Sequence, residues 1–121
     1  MAENIARTVT LNPSQQNGQV AVGKVVFDAT AITATDYIEI DVGFKPKYVE
    51  FINATDRVGG EFYEGMAANS CIKTAAAGAR TLEVTGGNGG ITLTDNGFRV
   101  LQNATLALVL ASKTCYFKAI A

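Results

Sequence analysis

The chain has 121 residues, with 10 Lys and Arg against 11 Asp and Glu, a formal charge of −1 and no histidine. Such a length makes one domain with a core of its own, and the near-neutral balance excludes the long-range attraction that draws basic chains to nucleic acid or anionic membranes. The missing imidazole excludes the commonest general base, the usual zinc ligand and every Ser–His or Cys–His nucleophile pair.

Apolar side chains alternate with period two, broken by glycine and Asx-rich turns, from the first residues to the last. Residues 1–24 hold few bulky apolar groups. "RTVTL" (7–11) reads either as an ordinary edge strand or as an extended arm that adds to another chain's sheet, leaving 25–121 as a single β domain. "QVAVGKVVF" (19–27) is the next strand. "DYIEIDVG" (36–43) sets Tyr37, Glu39 and Asp41 against Ile38, Ile40 and Val42. The turn Gly43-Phe44-Lys45-Pro46 leads into "KYVEFINA" (47–54), where Val49 and Phe51 lie opposite Tyr48, Glu50 and Ile52. "GEFYEGM" (60–66) follows a Gly-Gly turn. "NSCIKTAAAGA" (69–79) is the one stretch with helical character, although three alanines before a glycine equally make a small-residue loop.

"RTLEVT" (80–85) is a strand, and "GGNGG" (86–90) reads as a mobile or wide turn. "GITLT" (90–94) and "FRVLQ" (98–102) flank "TDNG", whose Asn-Gly pair favours a type I′ hairpin. "TLALVLA" (105–111), the least polar stretch, is expected as a central strand. With "TCYFKAI" (114–120) it completes a predicted four-stranded meander over 90–120. About ten short strands predict an all-β fold, an antiparallel β-sandwich or a jelly-roll-like barrel.

Chemistry is sparse along this chain. A paired-carboxylate site needs two acids about 5–10 Å apart across an aromatic cleft. Asp36, Glu39 and Asp41 cluster, but Glu61 and Glu64 fall on opposite faces, and there is no tryptophan to line a cleft. "GGNGGIT" lacks the Lys-Ser/Thr ending of a phosphate loop. Cys71 and Cys115 match no metal-ligand spacing and read as small buried hydrophobes, unpaired in a reducing compartment. No enzymatic activity, cofactor or metal is therefore expected. Isolated Arg57, Arg80 and Arg99 argue against nucleic acid, and no apolar run reaches the roughly 18 residues of a membrane span. The opening "MAENIARTVTLN" lacks the features of a secretory signal, so synthesis in a cytoplasm is expected.

Charged residues make up only 17% of the chain, which leaves an apolar-leaning surface of the kind that partners cover, or else Thr-rich sheet faces. "NATDRVGGEFYEGM" carries both signs of charge around a hairpin tip. That pattern is either a solvated turn or the polar rim of an apolar interface. The candidate interface residues are Tyr48, Phe51, Asp56, Arg57, Glu61 and Tyr63.

The ordered series "GFKPKYVEFINATDR", "EFYEGM", "TLEVTGGNGGITLTDNGFRV" and "YFKAIA" resembles small tailed-bacteriophage virion structural proteins, most of all capsid decoration or cement proteins. The likeness covers roughly residues 25 to 121 and departs from the family pattern at "GGNGG", where a shorter turn is usual, and at "EFYEG", where a tryptophan is usual. It implies a non-enzymatic β-rich virion component, made in the bacterial host cytoplasm. Its implied partners are the major capsid protein and further copies of itself, as a trimer or dimer. The other role the likeness allows is a tail, fibre-tip or baseplate adhesin, with Tyr37, Tyr48, Tyr63 or Tyr116 offered to a glycan or receptor. The resemblance carries no functional residues of its own.

Overall fold

A computed structural model describes residues 7–13, 20–33, 35–84 and 89–121. Its strands are β1 (Arg7–Pro13), β2 (Val20–Phe27), β3 (Tyr37–Asp41), β4 (Tyr48–Asn53), β5 (Val58–Tyr63), β6 (Cys71–Thr74), β7 (Arg80–Glu83), β8 (Ile91–Leu93), β9 (Gly97–Leu101) and β10 (Thr114–Ile120). Seven of them form one sheet in the order β1-β2-β10-β4-β5-β6-β7, and three form a second sheet in the order β3-β9-β8. Every ladder is antiparallel. The fold is an all-β sandwich, as the alternation predicts.

Period two decides which side chains enter the core. In β2, Ala21, Val25 and Phe27 are buried while Val22, Lys24 and Val26 are exposed. In β10, Cys115, Phe117 and Ala119 point inward while Tyr116 and Lys118 point out. The two sheets are bolted together by Phe98 of β9. It meets Phe117 edge-on at 5.6 Å between centroids and Phe51 at 6.5 Å. Edge-to-face geometry of this kind adds about 0.5–1.5 kcal/mol to the burial itself. Ile38, Ile40, Ile91 and Val100 complete the layer beneath the smaller sheet.

Several expectations are overturned, and one open alternative is decided. The stretch 105–111 is no strand: it is a run of turns and bends that plugs the core with Leu106, Leu108 and Val109. Ala107 sits at φ 64°, which breaks any extended run, and the backbone finds partners outside a ladder. Asn103 Oδ1 accepts from the Thr105 and Leu106 amides, and Asn53 Nδ2 donates to the Ala107 carbonyl at 3.0 Å.

The predicted 90–120 meander is also absent. The β8–β9 hairpin forms but joins β3, while β10 crosses to the larger sheet and lies between β2 and β4. Its turn is not type I′, because neither Asp95 nor Asn96 has a positive φ. Gly97 serves instead as a point of close approach, where a Cβ would collide with the Ile40 carbonyl of β3. Finally, 69–79 holds no helix. Cys71–Thr74 pair with both β5 and β7, and a tight turn follows, closed by the Ala75 amide on the Ala79 carbonyl.

Residues 7–13 lie at the sheet edge, paired along their length with β2, and β2 runs without a break through position 24. Most of "GGNGG" lies outside the described residues. Among those that are described, no helix is long and apolar enough to cross a membrane.

Candidate contact face

The smaller sheet and the 105–111 plug cover one side of the seven-stranded sheet, and the other side carries an unusual share of apolar groups. Val22 and Val26 of β2, Tyr116 of β10, Tyr63 of β5 and Leu82 of β7 are the exposed large hydrophobic side chains of these strands, Leu82 at 64%. Register places the outward residues in rows across the strands. One row reads Val20, Ile120, Tyr48, Tyr63; the next Val22, Lys118, Glu50, Glu61, Ile72, Leu82; the third Lys24, Tyr116, Ile52, Gly59, Thr74, Arg80.

An open groove of about 670 Å³ runs across β4 to β7, with Ile52, Gly59 and Gly60 along its floor and Glu50, Arg57, Glu61 and Arg80 around it. Gly59 hollows it out, since any side chain there would stand over Ile52, whereas the open side of Gly60 faces Leu108 and Cys71 in the core. Glu61 is held at both oxygens. Arg80 Nη2 donates to Oε1 at 2.7 Å and the Tyr48 hydroxyl donates to Oε2 at 2.8 Å. Burial, and then this hydrogen bond to a carboxylate, push the Tyr48 hydroxyl well above the usual phenol range. The Tyr48 and Tyr63 rings lie 5.0 Å apart, tilted by 42°. Arg80 is largely exposed, so its ion pair fixes geometry more than it adds stability.

The candidate interface residues divide sharply. Tyr48, Glu61 and Tyr63 come together on the outer face, and Arg57, on the β4–β5 turn at φ 62°, borders the same groove. Asp56 is engaged in closing that turn. Its Oδ2 accepts from Asn53 Nδ2 at 3.0 Å, its amide donates to Asn53 Oδ1, and Lys113 stands 3.3 Å from Oδ1. Phe51 is no interface residue. It shares the inward face of β4 with Val49 and Asn53 and is fully buried against Phe98.

Sequence reasoning missed Val22, Val26 and Leu82 as surface residues. The alternation in "VAVGKVVF" puts Val22, Lys24 and Val26 on one face, but both faces of that strand are apolar enough to be the inner one.

On the outer side of the smaller sheet, Arg99 donates to Glu39 at 2.8 Å and its guanidinium lies 4.5 Å from the Tyr37 ring centre. Both charges are thus engaged within the chain. Among the described residues no group of three or more His, Cys, Asp or Glu is placed to hold a metal ion. The class defined by fold and face is an antiparallel sandwich with a mixed apolar and charged outer face. No known protein family, curated protein or solved structure matches the chain.

Proposed function

We propose that this chain is a non-enzymatic structural protein of a tailed-phage virion, a capsid decoration or cement protein that binds neighbouring major capsid subunits and stabilises the shell. The observation that carries the reading is the outer face of the large sheet, where exposed Val22, Val26, Tyr116, Tyr63 and Leu82 are interleaved with Lys118, Glu50 and Glu61. Apolar groups interleaved with charges of both signs suit protein contact, and a sandwich suits repeated attachment, where many modest contacts add up. The motif series from "GFKPKYVEFINATDR" to "YFKAIA" supplies the phage context.

A second reading is a tail or fibre-tip adhesin. The Tyr48–Tyr63 pair beside Glu61 and Arg80, at an open groove, offers aromatic faces and hydrogen-bonding groups of the kind a sugar ring requires. Electron imaging of intact particles that contain the protein separates the two. Density on the head shell, with heads that lose heat stability when the protein is stripped, supports the cement role. Density at the tail together with a glycan-array signal supports the adhesin. A free enzyme in the cytoplasm overturns both.

A further inference from the structure

The outer face is self-complementary, and we propose that two copies of this chain meet on it. Their large sheets pack face to face about a two-fold axis that runs parallel to the strands, between β10 and β4. The inference rests on the layout of the face alone and competes with the capsid reading for it: side chains buried between two copies are not open to a capsid subunit.

Charge decides where the axis falls. Lys24, Lys118 and Glu50 have no ion pair among the described residues, and all three side chains lie on this face. Lys118 and Glu50 are register neighbours on β10 and β4. An axis on β10 would set Lys118 against Lys118, and an axis on β4 would set Glu50 against Glu50. An axis between β4 and β5 would oppose Glu50 to Glu61, and each of these arrangements brings like charges together at a cost. An axis between β10 and β4 lays Lys118 of each copy against Glu50 of the other, twice by symmetry. The same operation faces Tyr116 with Ile52, Ile120 with Tyr48 and Val20 with Tyr63.

The surface relief agrees with this placement. Lys24 of one copy faces Gly59 of the other, where the missing side chain leaves room for it at a rim that carries Glu50 and Glu61 as well as Arg57 and Arg80. The area is sufficient as well. Folding the sheet about this line overlaps β1 to β6, roughly 29 Å by 20 Å at ordinary strand spacing and rise. That is about 600 Å² per copy and about 1,200 Å² in all, within the range of specific interfaces. The operation also faces Val22 with Glu61, whose carboxylate is already held by Arg80 and Tyr48. An axis between β2 and β10 would overlap only four strands, about 400 Å² per copy by the same spacing.

Sedimentation equilibrium of the wild type, Lys118→Glu, Glu50→Lys and an equimolar mixture of the two variants tests the proposal. The wild type is expected at twice the chain mass at micromolar concentration. Each variant alone, with β-sheet circular dichroism unchanged, is expected to dimerise at least about tenfold more weakly. The mixture is expected to recover the dimer, because an all-acidic centre then faces an all-basic one. A wild type that stays monomeric at 100 µM overturns the proposal, as does a trimer. So do single variants that dimerise as well as the parent, or a mixture no tighter than its components. Should a charge-reversal variant fail to fold, Lys118→Gln and Glu50→Gln take its place: each is expected to weaken the dimer, and a dimer unchanged in both overturns the proposal.

Discussion

Burial acts on single side chains here in ways that parity in the sequence makes legible. Cys71 and Cys115 lie on the inward faces of β6 and β10 as free, fully buried thiols. Desolvation, followed by the nearby carboxylates of Glu83 for Cys71 and Asp56 for Cys115, pushes both up to about 12 from an ordinary value of 9.0. Between those values the unfolded chain gives up thiol protons that the folded chain keeps, so these groups make stability fall as pH rises from about 9 toward 12. The expected outcome is a urea midpoint that declines across that window, and declines less in Cys71→Ala/Cys115→Ala than in the parent. At pH 8 neither thiol should react with a disulfide reagent until urea is added. The same parity sets Phe51 opposite Tyr48 in "YVEFIN", so both cannot line one interface, and the candidate set that holds both is overturned at Phe51. The role of Asp56 was not legible: its partners Asn53 and Lys113 meet it only once the β4–β5 turn has closed and the chain has returned at residue 113.

At the level of strands, nine of the ten stand where alternation puts them, and the exceptions have separate causes. An apolar run without alternation serves equally as a buried strand or as a plug, and only its backbone partners distinguish the two. "TLALVLA" is the plug, and "CIKT" is a strand whose short length and alanine-rich sequel hid it. Sheet membership was equally hidden, because ladder partners are set by contacts far apart in sequence. Glycines show how local space enforces these elements. Gly97→Ala is expected to cost about 3 kcal/mol, the upper part of the range for overfilling a packed site, by driving β9 away from Ile40. Hydrogen exchange should show β3 losing protection first. Gly59→Ala, whose Cβ would meet Ile52 at an ordinary 3.4 Å, is the matched control and should be close to neutral.

In the molecule as a whole, the two ladders at the middle of the large sheet join distant parts of the chain. β10 pairs with β2 from residue 114 to 120 and with β4 from 115 to 120, so it joins two pieces, β1-β2 and β4-β5-β6-β7, that have no other ladder between them. A chain truncated after residue 113 is expected to lose the cooperative unfolding transition entirely, rather than a few kcal/mol of it. A denaturant melt followed by circular dichroism checks this, and a surviving sigmoid would show that the halves hold together through the core alone. Such non-local pairing predicts folding on a millisecond-to-second scale. On the ribosome the consequence is a matter of timing. While residues 114–120 are still inside the exit tunnel, β2 and β4 each present a bare edge with no strand to join, and the emerged chain is two unfinished ribbons. The keystone of the sheet is the strand made last of the ten, so closure waits until synthesis has passed residue 120 and the tunnel has released it.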